Sequence, residues 1–203
     1  MKNNKELVNK LIENGYLKTP EIIKAFLSID RKDFVLPQYQ SYAYENYPLS
    51  INYNQTISQP ATVAFMLELL QPKSGQKILD IGAGSGWQTA LLANIVGKNG
   101  KVFAIERIPE IAEFGENNLE KYNFIKKKII QFICGDGSDG LPDQKPFDRI
   151  IVAAEAQEIP KNLKEQLKKN GRLVLPVKQS IYLVTPKREQ EFPGFVFVPL
   201  IKN

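Results

Sequence analysis

Asp80, Gly82, Gly84 and Gly86 stand at alternate positions, and Glu106 follows twenty residues after the last of these glycines. A glycine-rich turn between an apolar run and a helix offers backbone N–H groups to a ligand. An acid about 20 residues further on suits two hydrogen bonds to a ribose diol. This spacing predicts a nucleoside cofactor. Small departures from the dinucleotide pattern decide which one. A pyrophosphate-binding turn has the form G-x-G-x-x-G, whose last glycine lets helix and strand pack closely. Position 87 would have to be that glycine, and it is tryptophan. The glycines run G-x-G-x-G instead, behind Asp80. A carboxylate there would repel a pyrophosphate and suit the cationic methionine end of S-adenosyl-L-methionine. That compound is the expected cofactor, and a nicotinamide-dependent oxidoreductase is disfavoured.

Four apolar runs must place these residues in one cleft. They end at Asp80–Gly86, at Glu106, at Gly135-Asp136-Gly137 and at Ala153-Ala154-Glu155-Ala156-Gln157. Asp136 is placed to meet an adenine amino group, or to cap its own turn. Strands are expected at 77–81, 101–105, 129–134, 148–153, 172–177, 180–185 and 195–199. Helices are expected at 61–70, 86–96, 108–121 and 160–169. The first five strands alternate with helices or long connections, which implies parallel pairing with right-handed crossovers. The two-residue link Lys178-Gln179 suits an antiparallel hairpin. The predicted fold is α/β, a Rossmann-like doubly wound seven-stranded mixed sheet with an antiparallel C-terminal strand, plus N-terminal helices. Ligands in such sheets bind beyond the C-terminal strand ends.

Ahead of this core, Leu7, Val8, Leu11 and Ile12 mark one amphipathic face, and Ile22, Ile23, Phe26 and Leu27 mark another. Residues 37–60 are polar and interrupted by Pro37, Pro48 and Pro60. A long polar segment inside a compact chain is usually either functional or disordered. At 203 residues the chain is expected to form a single domain over 1–203, with 1–60 as a helical and covering segment and 61–203 as the core.

Composition removes several function classes. With no histidine and one cysteine, neither a zinc site nor a Ser-His-Asp triad is available, and no metal is expected. Cys134 is expected to be a buried thiol, and the lack of an internal disulfide suits a cytoplasmic location. No apolar run nears the roughly 20 residues that span a bilayer, and residues 1–20 contain no signal-peptide core. The net charge of +5 comes from dispersed lysines, so no nucleic-acid partner is expected. The expected state is a monomer.

Beyond its glycine-rich turn, the chain resembles the protein-L-isoaspartate (D-aspartate) O-methyltransferase family along nearly its whole length. Gln55-Thr56-Ile57-Ser58-Gln59-Pro60 is similar to a block that is rare outside that family. Ile78–Gly86 resembles its glycine-rich motif, and Trp87-Gln88-Thr89-Ala90 continues the match. Glu106-Arg107-Ile108, Gly135-Asp136-Gly137, Pro146-Phe147-Asp148, Glu158-Ile159-Pro160, Gly171–Val177 and Phe197-Val198-Pro199-Leu200 follow in order. The resemblance implies methyl transfer from S-adenosyl-L-methionine to the α-carboxylate of L-isoaspartyl residues in damaged peptides and proteins. The ester then collapses to a succinimide, which begins repair. The resemblance also implies cofactor contacts from Thr56, Ile57, Gln59, Asp80, Gly82, Gly84, Gly86, Glu106, Asp136 and Gly137. Ser58 is the expected residue nearest the chemistry, or else a helix N-cap, and Asn54, Gln55, Ala154 and Glu155 are expected around the substrate.

The chemistry agrees with the composition, because a carboxylate of pKa about 3.9 is ionised at pH 7 and needs no imidazole base. Two departures stand out. Asn54 replaces the family's usual glycine, and Glu155 brings an acid, without a proline, into a loop that usually holds substrate. Glu155 is expected to face solvent. An altered acceptor (unmodified peptide Asp, an RNA or a small molecule) is the competing reading. A non-catalytic cofactor-binding module is disfavoured by the complete cofactor set.

Overall fold

The computed structural model describes residues 1–202. Helices α1 (Asn4–Glu13) and α2 (Pro20–Ser28) open the chain. Two 3-10 turns follow, at Arg31–Phe34 and Pro37–Tyr42. A two-stranded hairpin, β1 (Leu49–Ser50) and β2 (Thr56–Ile57), then leads into α3 (Pro60–Leu70). The core continues as β3 (Lys77–Ile81), α4 (Trp87–Val96), β4 (Lys101–Glu106), α5 (Pro109–Glu120) and β5 (Ile130–Cys134). It closes with β6 (Phe147–Val152), α6 (Lys161–Lys164), β7 (Leu167–Val177), β8 (Ser180–Val184) and β9 (Glu189–Pro193).

The seven-stranded sheet has the order β5-β4-β3-β6-β7-β8-β9. Strands β3 to β7 pair in parallel, while β8 is antiparallel to both of its neighbours. The strand order reverses between β3 and β6, so the C-terminal ends of these strands open the crevice where ligands bind in doubly wound sheets. Residues alternate between the two faces. Ile78, Val102, Ile130, Ile151 and Val174 pack with α1–α5, whereas Leu79, Ile81, Phe103, Ile105, Val152 and Leu173 pack toward α6. Helix α4 is apolar nearly all round because it lies between the sheet and α2.

Several expectations shift. The seventh strand is 189–193 rather than 195–199. Lys178 and Gln179 take left-handed φ values of 46° and 64°, as a two-residue hairpin requires. A second turn at Thr185–Arg188 then returns the chain along β8. The 160–169 helix stops at Lys164, because buried Gln166 commits its side chain to Leu141, Asp139 and Asn162 while its carbonyl accepts from Phe147. Ile12 and Leu27 are exposed, so the N-terminal helices bury narrower faces than their patterns predict. Cys134 is exposed rather than buried, since β5 is an outer strand paired only with β4. No helix among the described residues is long and apolar enough to cross a membrane.

Candidate active site

At the end of β3 the chain turns through Gly82, Gly84 and Gly86, all with positive φ, and enters α4. Gly82, Gly84, Ser85, Trp87 and Gln88 line the cleft. Gly86 does not; its place is structural. A Cβ on Gly86, at φ +85°, would stand 2.9 Å from the Gly115 carbonyl oxygen and 3.1 Å from Leu119, so α5 packs directly against the turn. Gly86→Ala combines left-handed strain with a backbone clash and is expected to cost about 2–4 kcal/mol of stability, read by urea unfolding.

Asp80 also lies outside the cleft lining, contrary to the expectation of direct contact. Strand alternation turns its side chain toward α4, where it is fully buried. Its Oδ1 accepts from Gln88 Nε2 at 2.8 Å and its Oδ2 from Thr89 Oγ1 at 2.6 Å. Burial raises its pKa to about 6; the bonds from Thr89 and Gln88 oppose the rise, and the charge on Glu106 adds to it. The acid therefore orients Gln88, which does reach the cleft.

Glu106 ends β4 with a carboxylate held from two sides. Oε2 accepts from the Gly84 N–H and Oε1 from the Ile108 N–H, each at 3.0 Å. Each oxygen retains acceptor capacity for a ligand hydroxyl. Asp136 and Gly137, beyond β5, line the same cleft. Asp136 Oδ1 accepts from the Ser138 N–H at 2.8 Å, so the turn-capping role exists. A Cβ on Gly137 would come within 2.7 Å of Ile81 Cγ2, and the chain passes this point only without a side chain.

The β1–β2 hairpin covers the cleft through Ile51, Gln55, Thr56 and Ile57. Asn52, Tyr53 and Asn54 all take left-handed φ values, so Asn54 adopts the backbone that glycine would otherwise supply. Asn54 itself is exposed and does not line this cleft. A second groove, lined by Pro48, Gln59, Thr62 and the 194–198 tail, adjoins the first. Ser58 lines both, and its hydroxyl has no protein partner among the described residues. It is not the N-cap of α3; that position is Gln59. Gln59 lies on the second groove rather than the first cleft, donating to the Asn46 carbonyl and accepting from Thr62.

Glu155 departs furthest from expectation. It neither enters the cleft nor stands free in solvent, because its Oε2 accepts from the Gln179 N–H at 3.1 Å. Its backbone brackets the tail, with its N–H donating to Val198 at 2.7 Å and its carbonyl accepting from Leu200 at 2.8 Å. Pinned there, Val198, Pro199, Leu200 and Ile201 become a wall of the cleft next to Ala153 and Ala154. Ser85, Gln88, Arg107 and most of this wall lie within the motif blocks, but the sequence reading gave them no contact role. Their membership of those blocks was the signal that could have found them.

The whole arrangement invites comparison with known proteins. The family model for protein-L-isoaspartate(D-aspartate) O-methyltransferase matches residues 2–202. The chain belongs to that family. It is thus an O-methyltransferase that uses S-adenosyl-L-methionine. The protein-L-isoaspartate O-methyltransferase of Aeropyrum pernix is 44% identical over 204 residues, covering 96% of this chain and 78% of that protein. The one from Pyrococcus horikoshii is also 44% identical, covering 97% and 92%. A Plasmodium falciparum structure assigned to the same activity, in complex with S-adenosyl-L-homocysteine, superposes with a TM-score of 0.90 at 26% identity, covering 100% of both chains.

Proposed function

We propose that the two adjoining cavities bring a sulfonium methyl donor and an L-isoaspartyl α-carboxylate together at Ser58. The observation that carries this reading is their shared boundary. Thr56, Ser58, Ala153 and Val198 line both the nucleoside cleft and the adjacent groove, so a ligand in one abuts a ligand in the other.

The donor set suits S-adenosyl-L-methionine. Glu106 supplies acceptors for a ribose diol, Asp136 is placed for the adenine, and the glycine turn presents backbone without side chains. Asp80 acts on the cationic end through Gln88 and its own charge. When bound, the cofactor would supply an electrophilic sulfonium methyl group, and a carboxylate acceptor needs no proton removed. The protein's part is then to desolvate and orient an anion that is already a nucleophile. The Ser58 hydroxyl donates to one oxygen of that anion, and Thr56, Ile57 and Gln55 close over the cofactor. Gln59 supports the loop, while Glu155 and Gly86 shape the walls without touching ligand. No observation favours an altered acceptor, because Glu155 is committed to Gln179 and Asn54 accepts its left-handed backbone.

The chain acts as one domain, its 1–60 segment covering the 61–203 core, and as a monomer in the cytosol. An exposed cysteine thiol suits a reducing compartment. The test is transfer of labelled methyl to a short isoaspartyl peptide beside its normal-Asp counterpart. Base-labile methylation of the first alone is expected; equal labelling of both would refute the acceptor assignment. Ser58→Ala should lower kcat about 10- to 100-fold with cofactor affinity unchanged, as loss of one donor to a reacting anion does.

A further inference from the structure

Arg31, in the 3-10 turn after α2, is fully buried. It forms no ion pair among the described residues. The acid next to it in sequence, Asp30, accepts from the Lys32 N–H and the Tyr44 hydroxyl, and Glu45, whose carbonyl it bonds, pairs its carboxylate with the amino terminus. Its guanidinium instead gathers four backbone carbonyls. Nη1 donates to Ala43 at 2.8 Å and Glu45 at 3.3 Å, and Nη2 donates to Tyr47 and Ser58, each at 3.1 Å. Nε has no partner. Its Cζ lies 5.4 Å from the centroid of the Trp87 ring, which lines the cofactor cleft.

Burying an uncompensated charge is costly, and tying carbonyls together does not require one. The carbonyl of Ser58 places this charge one residue's width behind the hydroxyl that faces the groove. Glu106 lines the cofactor cleft, and Asp80 lies buried behind Gln88. Of the four residues bonded to the guanidinium, Ser58 is the one that lines the two cavities.

We propose that Arg31 is a positioning residue for the acceptor: its fork holds the Ser58 backbone in place, and its unpaired charge makes that side of the groove select an ionised carboxylate. Burial lowers its pKa only to about 9, opposed by Tyr47, so the charge persists at pH 7. A lysine would lose the planar fork and, buried this deeply, part of its charge, and a glutamine would lose both.

This inference rests on the acceptor reading above, and its test separates the two. Binding of an isoaspartyl peptide and of its isoasparagine counterpart, whose α-carboxylate is an amide, is measured with S-adenosyl-L-homocysteine present. The wild-type protein is expected to prefer the carboxylate by about tenfold or more. Failure of the wild type to bind or methylate the isoaspartyl peptide would overturn the acceptor assignment itself. Arg31→Gln should bring the preference near unity while cofactor affinity stays within about threefold. Arg31→Lys should lower kcat about tenfold, since the fork that fixes Ser58 is gone, and should reduce the preference only in part. Equal weakening toward both peptides in Arg31→Gln would mean a purely structural residue and would overturn the proposal, as would an unchanged kcat in Arg31→Lys. If Arg31→Gln does not fold, the Arg31→Lys outcome decides, together with Trp87 fluorescence in the wild type. That sole tryptophan should respond to the isoaspartyl peptide more than to saturating amide peptide, and equal responses would count against the proposal.

Discussion

Glu106→Ala is expected to weaken S-adenosyl-L-methionine binding by about 100-fold or more, equivalent to about 2.7 kcal/mol, while leaving the fold intact. The carboxylate is nearly buried and sits at the mouth of β4 with both oxygens held by backbone N–H groups of Gly84 and Ile108. Truncation removes the acceptors for the ribose hydroxyls. It also leaves two N–H donors unpaired in a desolvated site, each costing about 1–3 kcal/mol when no water reaches it. Glu106→Gln should be nearly as damaging, because its amide nitrogen would face one of those donors. Titration calorimetry with S-adenosyl-L-homocysteine reads the same contact without turnover. An unchanged Kd in both variants would displace the nucleoside from this cleft.

The second large effect concerns stability. Asp80→Ala should destabilise the protein by about 3 kcal/mol, since Gln88 Nε2 and Thr89 Oγ1 lose their buried acceptors and a void opens beneath α4. Asp80→Asn should cost far less, because one carbonyl remains and the threonine hydroxyl can rotate to accept from the amide. Burial, offset in part by those two bonds and reinforced by Glu106, raises the acid's pKa from 3.8 to about 6. The folded state then binds more protons than the unfolded state between about pH 4 and 6. Stability from this group is therefore full below pH 4, falls as pH rises through that window, and is level above it. Urea titrations at pH 4.5 and 7 should differ by less in Asp80→Asn than in the wild type; identical pH slopes would show that Asp80 is not the titrating group. A cationic ligand favours the ionised acid, so cofactor affinity should rise with pH through about 6, and this dependence should vanish in Asp80→Asn.

Much of this was legible in the chain. The β-branched runs ending in Asp80–Gly86 and Glu106 marked two neighbouring parallel strands, and both fall within a residue of their expected ranges. Local signals of this kind carry because alternation, glycine turns and helix periodicity act over a few residues. The elements that went astray depend on distant partners. The expected strand at 195–199 is a tail held off the sheet by Glu155, and the expected helix at 160–169 is cut short by Gln166.

By itself, the sequence determined the layered α/β class, the nucleoside-type cleft, the absence of imidazole chemistry and the block around Ser58. Each follows from residue types at short spacing. Tertiary structure alone decided which of those residues line the cleft. Asp80 and Glu106 look alike as acids at strand ends, yet side-chain alternation turns one under α4 and leaves the other at the cleft. Glu155 and Arg31 were settled the same way, by hydrogen bonds to Gln179 and Ser58 that lie 24 and 27 positions away along the chain. A side chain's partner at that distance is fixed by packing, and no local pattern encodes it.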